Sequence, residues 1–289
     1  MILLSSTQAA EMLDQFGRGS EAQTSLDLGR TQTKVSLHEG LVHLPDGQQI
    51  SLDCLRKVAG CEDVVFVARE GTVEKVLRFS EATQRTYKLR ATADWPALEI
   101  SGILMHRIKG TTPRKDAEAK LRLVAPVRGA VLDTCMGLGY TAILAAQTAE
   151  SVTVIEKDDN VLEMARLNPY SREIFEDPRI RLIQGDASQA VGSFGDATFD
   201  IINHDPPTLS IAGELYSDAF YAELLRIAKP GGKLLHYTGA PGSRGRGVDL
   251  NASVMRRLAR VGFARVRNDS GTFCVLAERA GASVQRRGR

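Results

Sequence analysis

Four carboxylic acids in this 289-residue chain stand where an apolar run gives way to a turn: Asp133 after 130–132, Glu156 after 151–155, Asp186 after 180–184 and Asp205 after 199–203. Between the first two lies Gly137-Leu138-Gly139-Tyr140-Thr141-Ala142, a G-x-G-x-x-A turn followed by a helical pattern. Glycines at that spacing let the backbone turn tightly and approach a ligand closely, and the helix start presents unpaired N–H groups to it. Acids at strand ends accept hydrogen bonds from hydroxyls and amines or stand beside a cation. Asp205 runs directly into Pro206-Pro207, whose missing N–H groups leave only carbonyls to point at a ligand.

The pattern admits nucleotide-like cofactors in general, and charge chooses among them. A dinucleotide places a pyrophosphate at the helix N-terminus, where amides and the helix dipole favour anions. Asp133, just ahead of Gly137, sets a carboxylate close to that anion. S-adenosyl-L-methionine has no phosphate and carries a sulfonium and an ammonium, so the same acid becomes an asset. Glu156 suits the ribose hydroxyls of either cofactor. Asp186, in Gly185-Asp186-Ala187, is placed for the adenine amino group. Any one of these acids is equally a helix N-cap; together with Gly137 and Gly139 they favour the cationic adenosyl cofactor. Tyr140, Lys157 and Ala187, adjacent in sequence, and Asp205 complete the expected cofactor-binding set.

The elements that must position these residues follow from periodicity. Helical spacing is expected at 7–16 and 52–58, and between 24 and 104 the apolar residues fall into short runs divided by turn residues. Asp27-Leu28-Gly29-Arg30-Thr31 has the form of a phosphate-binding turn, but the short region around it suits a hairpin turn better. Residues 109–113 read as a linker. Thr112 and Pro113 then start a helix over 113–126, with Ala117, Leu121 and Val124 near one face.

From there strands and helices alternate, with strands at 130–132, 151–155, 180–184, 199–203 and 233–237. Helices are expected at 140–149, 160–168, 217–228 and 250–261, and a closing hairpin at 264–267 and 272–278. The expectation is an α/β fold with a mostly parallel sheet and a terminal antiparallel hairpin. A β-rich accessory domain over 1–108 precedes a cofactor domain over 109–289.

In this order the motifs resemble those of class I S-adenosylmethionine-dependent methyltransferases, a Rossmann-like fold. The resemblance rests on residues 131–142, Glu156, Gly185-Asp186-Ala187, Asp205-Pro206-Pro207 and Lys229-Pro230-Gly231-Gly232, and covers about residues 112–278. More narrowly, L-D-T-C-M-G-L-G-Y-T-A with H-D-P-P and G-E-L-Y-S-x-x-F-Y is similar to an uncharacterised, largely archaeal group of predicted methyltransferases. In families that methylate amine nitrogens, a [DN]-P-P-[aromatic] segment accepts the amine's hydrogen bonds through its acid and a backbone carbonyl. The resemblance implies that role for Asp205 and Pro206, with Pro207, His204 and Tyr216 near the acceptor. Thr208 replaces the aromatic residue that would stack on a planar base, and Tyr216, Phe220 or Tyr221 could supply that face or lie in the core.

Other readings share parts of the pattern. An aminopropyltransferase would use decarboxylated S-adenosylmethionine and would carry further acids beside Asp205. A non-catalytic RNA-binding protein on this fold would lose the cofactor acids, and a dehydrogenase is disfavoured by Asp133. The net charge of +2 implies no polyanion partner by itself. Basic residues do cluster at Arg107, Lys109, Arg114 and Lys115, and again at Arg244, Arg246 and 286–289. The first cluster, behind the β-rich domain, is compatible with RNA presentation and hence RNA modification; the last suits a solvated end. A homodimer is compatible with the sequence.

With 43% hydrophobic residues the chain can bury a sizeable core. No run reaches the roughly 18 to 20 apolar residues of a membrane span, and the N-terminus lacks a secretory pattern. A cytoplasmic protein with no membrane partner is expected. The four cysteines form no C-x-x-C pair, so neither a disulfide framework nor a metal site is expected.

Overall fold

The structure is a computed structural model that describes residues 1–209, 211–239 and 249–281. The basic positions Arg244, Arg246 and 286–289 lie outside the described residues. The chain divides into two compact units, Met1–Arg114 with Asn160–Arg172, and Lys115–Asp159 with Glu173–Arg289.

The first unit is β-rich. Glu21–Thr24, Thr33–His38, Leu41–His43 and Gln49–Ser51 make an antiparallel sheet in chain order. Ile2–Leu4 pairs with Phe66–Arg69, which pairs with Thr72–Lys75. A third sheet runs in the order Ile103–Leu104, Ala97–Ile100, Arg85–Arg90 and Leu77–Ser80. Helices Ser6–Phe16 and Leu52–Ala59 bury Ala9, Met12, Leu55 and Val58. The Asp27–Thr31 segment is a hairpin connection: the Asp27 carboxylate accepts the Thr31 N–H at 2.8 Å and its hydroxyl at 2.7 Å, closing the turn on itself. That internal closure is what an Asx-type turn needs and leaves the loop no phosphate cradle.

The second unit holds a seven-stranded sheet. Its strands are β1 (Ala130–Asp133), β2 (Ser151–Glu156), β3 (Ile180–Gln184), β4 (Phe199–His204), β5 (Ala228–Tyr237), β6 (Phe263–Asp269) and β7 (Cys274–Arg279). They lie in the order β3-β2-β1-β4-β5-β7-β6. Strands β1 to β5 are mutually parallel, and β7 runs antiparallel to both β5 and β6. The expected mostly parallel sheet with a terminal hairpin is therefore present. A strand covered on both faces buries consecutive residues, as Val154 and Ile155 are buried in β2.

Order reverses between β1 and β4, the point where open α/β sheets leave a crevice beyond the strand carboxyl ends. The core beneath it is built on Leu132, Ile155, Ile202, Leu224 and Leu234. Helix Pro113–Val124 buries the expected Ala117, Leu121 and Val124. The helix expected over 140–149 spans Tyr140–Ala146, and β5 begins earlier than expected because Ala228 pairs with Phe199 across an irregularity in β4. The short helices Glu173–Glu176 and Ala187–Ala190 had no periodicity long enough to announce them.

All four cysteines are free; Cys274 is buried and the others half-buried. Among the described residues no group of His, Cys, Asp or Glu could hold a metal ion, and no helix is long and apolar enough to cross a membrane.

Candidate active site

The carboxyl ends of β1, β2, β3 and β4 deliver Asp133, Glu156, Asp186 and Asp205 to one edge of the sheet. Asp133 is buried and accepts the Asn203 side-chain amide at 3.0 Å and the Cys135 N–H at 3.3 Å. Asp133 and Asn203 are cross-strand neighbours, so their side chains leave the sheet on the same face. Burial, reinforced by the nearby Asp205 charge and only partly offset by Asn203, pushes the Asp133 carboxyl up to about 7. A neighbouring cation would relieve that cost.

Beyond Asp133 the chain turns through Gly137 and Gly139, both left-handed at φ +57° and +77°. Gly139 is the N-cap of the Tyr140–Ala146 helix. A Cβ on Gly139 would overlap the Ile174 side chain, whereas one on Gly137 would meet no atom within 4 Å. The two glycines thus differ: Gly139 is needed for turn and packing, Gly137 for turn and an open approach.

Glu156 reaches back to this turn, accepting the Gly137 N–H at 3.0 Å through one oxygen and the Lys157 and Asp158 N–H groups at 2.9 Å each through the other. Burial outweighs these three hydrogen bonds and raises its carboxyl above the ordinary range. Asp186 is the N-cap of Ala187–Ala190, accepting the Ser188 N–H at 2.8 Å, and its second oxygen accepts the Lys157 ammonium at 2.7 Å. Partial burial pushes the Asp186 carboxyl up, but Lys157 and Ser188 outweigh it and hold it below the usual value. Tyr140 and Ala187 are buried at the starts of their helices.

At the end of β4 the period of two separates neighbours. Asn203 shares the Asp133 face; His204 points the other way and pairs in register with His236 of β5. His204 is fully buried, its Nδ1 bonded to the Thr134 hydroxyl at 2.7 Å and its Nε2 to the Leu215 carbonyl at 3.0 Å. Burial lowers its pKa to about 3, so the ring is neutral. Its centroid lies 4.4 Å from that of His236 and 5.1 Å from that of Phe220. Tyr221 is also fully buried and its hydroxyl meets His236 Nε2 at 3.0 Å. These aromatic residues make a packed layer under the Asp218–Ile227 helix, with Phe220 and Tyr221 as core groups.

Tyr216 has a different task. Its hydroxyl donates to the Pro207 carbonyl at 3.0 Å, fixing the Asp205-Pro206-Pro207 segment from behind. From the front the segment is held by Lys120, which sequence reasoning missed. The Lys120 ammonium donates to Asp205 Oδ2 at 2.8 Å, pairs with Asp116 Oδ2 at 3.1 Å and sits 4.3 Å above the Tyr237 ring centroid. Its side chain is 8% exposed and that of Asp205 28%. Burial would lower the Lys120 pKa, but the two carboxylates outweigh it and raise it. The signal was present: Asp116 and Lys120 sit at i, i+4 on the same stripe as Val124, two charges where an amphipathic helix places apolar residues.

The residues suit S-adenosyl-L-methionine. A turn open at Gly137, a buried Asp133 whose carboxyl stays raised by burial even with the Lys120 charge nearby, and two further acids at successive strand ends match a ligand with cationic and hydroxyl groups. They do not match a pyrophosphate, which would stand against the buried Asp133.

A methyltransferase domain family matches residues 131–232. An uncharacterised protein of Methanocaldococcus jannaschii is 41% identical over 282 residues, 96% of this chain and 95% of that protein. Putrescine N-methyltransferase 4 of Nicotiana tabacum is 28% identical over 168 residues, 55% of this chain, which spans 43% of that enzyme's length. Among solved structures, a spermidine synthase in complex with the transition-state analogue AdoDATO superimposes with a TM-score of 0.57 at 20% identity, covering 73% of this chain and 77% of that one. This last likeness is one of fold.

Proposed function

We propose that this chain, which belongs to the family of its uncharacterised Methanocaldococcus jannaschii relative and carries a methyltransferase domain over residues 131–232, transfers the methyl group of S-adenosyl-L-methionine to a nitrogen held beside Asp205. The observation that carries this reading is the convergence of Asp133, Glu156, Asp186 and Asp205 at the carboxyl ends of four adjacent strands, around the reversal of strand order.

Bound at this site, the cofactor supplies a methyl group already activated by its sulfonium. What remains for the protein is placement and the exclusion of water. Asp133 faces the cationic amino-acid portion, Gly137 gives the close approach on a turn that Gly139 shapes, Glu156 takes the ribose hydroxyls, and Asp186 with Ala187 borders the adenine. Lys157, 70% exposed and paired with Asp186, orients that carboxylate. Asp205 and the Pro206 carbonyl accept the acceptor's N–H groups, which aims the nitrogen lone pair along the transfer line. Tyr216 and Lys120 keep that segment in place. His204, neutral with both ring nitrogens engaged, supports the segment from the core rather than moving a proton.

Calorimetric titration with S-adenosylhomocysteine and with NAD tests the cofactor half; binding of NAD with no binding of S-adenosylhomocysteine defeats it. Asp205→Asn tests the acceptor half: turnover is expected to fall at least about a hundredfold while cofactor affinity holds. A radiolabelled-methyl screen against total RNA, protein and small amines identifies the acceptor. RNA is included because Arg107, Lys109, Arg114 and Lys115 form a basic run, in which the Arg114 guanidinium lies 5.6 Å above the Trp95 ring.

Aminopropyl transfer is the second reading, supported by the spermidine synthase fold and by similarity to a polyamine aminopropyltransferase over 48% of this chain. Parallel assays with S-adenosylmethionine and its decarboxylated form separate the two.

A further inference from the structure

The Lys120 ammonium occupies the surroundings that a ligand ammonium would seek. It has carboxylates on two sides, at 2.8 Å and 3.1 Å, and an aromatic face at 4.3 Å, and its side chain is nearly sealed from solvent. Paired carboxylates with an aromatic wall are a general recognition set for alkylammonium groups. Here the chain fills that set from within. Lys120 comes from the middle of helix Pro113–Val124, one turn after Asp116, so its backbone cannot withdraw without unravelling the helix.

We infer that Lys120 is the specificity-determining residue of the acceptor site: its fixed ammonium on Asp205 closes the site to aliphatic di- and polyamines and selects an acceptor nitrogen that is uncharged at neutral pH. The inference rests on the role of Asp205 under the proposed function. An alkylammonium acceptor reaching Asp205 would place a second positive charge on a carboxylate that already carries one, in a setting where water screens little. An exocyclic aromatic amine brings N–H donors without that repulsion, and an aspartate oxygen accepts one while still holding Lys120. Such an amine attacks with its own lone pair: the N–CH3 bond forms as the S–CH3 bond breaks, the sulfonium leaves as a neutral thioether, and the proton then carried by the methylated nitrogen passes to solvent beside the partly exposed Asp205. The chain would then differ in acceptor from the relatives named for putrescine and spermidine while keeping their fold.

The experiment is isothermal titration of the full chain with putrescine, with and without saturating S-adenosylhomocysteine, on the wild type, Lys120→Met and Lys120→Arg. The wild type and Lys120→Arg are expected to show no putrescine binding up to about 10 mM. Lys120→Met, which takes the fixed ammonium off Asp205, is expected to bind it at least about tenfold tighter. Affinity for S-adenosylhomocysteine is expected to stay within about threefold in all three.

Submillimolar putrescine binding by the wild type, or methyl or aminopropyl transfer to it, overturns the inference, and this arm needs no variant to fold. So does a folded Lys120→Met that gains no diamine affinity. A tenfold or greater loss of S-adenosylhomocysteine affinity in Lys120→Met would make Lys120 a ligand of the cofactor's carboxylate instead. Failure of the wild type to bind S-adenosylhomocysteine defeats the methyl-transfer reading alone, because the putrescine arm without cofactor still reads the Lys120 site.

Discussion

The Asp133 carboxylate accepts the Asn203 side-chain amide at 3.0 Å, tying the ends of β1 and β4 together where the strand order reverses. The bond orients a carboxylate that burial has made costly to ionise.

That cost makes Asp133 a titrating group near neutrality. Its folded value of about 7 lies above the ordinary 3.8, so the folded protein binds the extra proton. The stability this contributes is full below pH 3.8 and is lost as pH rises through about 7; at about 1.4 kcal/mol per pH unit the loss is at most about 4 kcal/mol. Asp133→Asn removes this dependence in urea titrations at pH 5 and 8. S-adenosylhomocysteine, whose ammonium needs the ionised acid, is expected to bind more weakly by up to about tenfold per pH unit below 7. Proton release on binding, read by calorimetry in two buffers, checks it; no release at pH 7 counts against the assignment.

The two glycines of the turn separate conformational strain from steric overlap. Gly137→Ala meets open space and carries only the left-handed penalty, about 1 kcal/mol. Gly139→Ala adds the overlap with Ile174 and is expected to cost about 3 kcal/mol. Ile174→Ala in the second background should recover part of that cost, and denaturation midpoints of the four proteins test the order.

Tyr216→Phe deletes one hydroxyl and releases the Pro207 carbonyl. Stability is expected to fall by about 1 kcal/mol, and turnover by about tenfold with S-adenosylhomocysteine affinity unchanged. A loss of cofactor affinity without a change in turnover would show that the segment serves the cofactor instead.

His204 opposes Asp133 in its pH dependence. Its folded value of about 3 lies below the ordinary 6.5, so its contribution is present above pH 6.5 and is lost as pH falls toward 3. At pH 5 one such imidazole costs about 2 kcal/mol, and His236, lowered by burial and by His204, adds to the loss. Urea unfolding at pH 5 and 7 in an Asp133→Asn/Glu156→Gln background, which removes both raised carboxylates, reads the histidines. A pH-independent stability there would mean that the imidazoles are not held neutral.

The alternation of strands and helices after residue 113, the G-x-G turn and the acids at the strand ends were legible because each is set by local chemistry. A run of β-branched residues, a left-handed turn and a helix start all fall within about a dozen positions. Two features were not legible. Whether Phe220 and Tyr221 offer a stacking face or lie in the core was open in the sequence; they are core, because the helix that carries them lies over the side of the sheet where His204 and His236 point. Asp116 and Lys120 were passed over in a helix read for its apolar stripe.

The sequence by itself determined that carboxylates would end β1 to β4 and that a glycine turn would follow the first of them, since strand period and turn chemistry are short-range. Only the tertiary structure decided what each carboxylate touches. Asn203 reaches Asp133 across 70 residues and Lys120 reaches Asp205 across 85. The parallel register of β1 with β4 and the seating of a distant helix set those meetings, and a linear pattern does not encode which buried charge finds which partner.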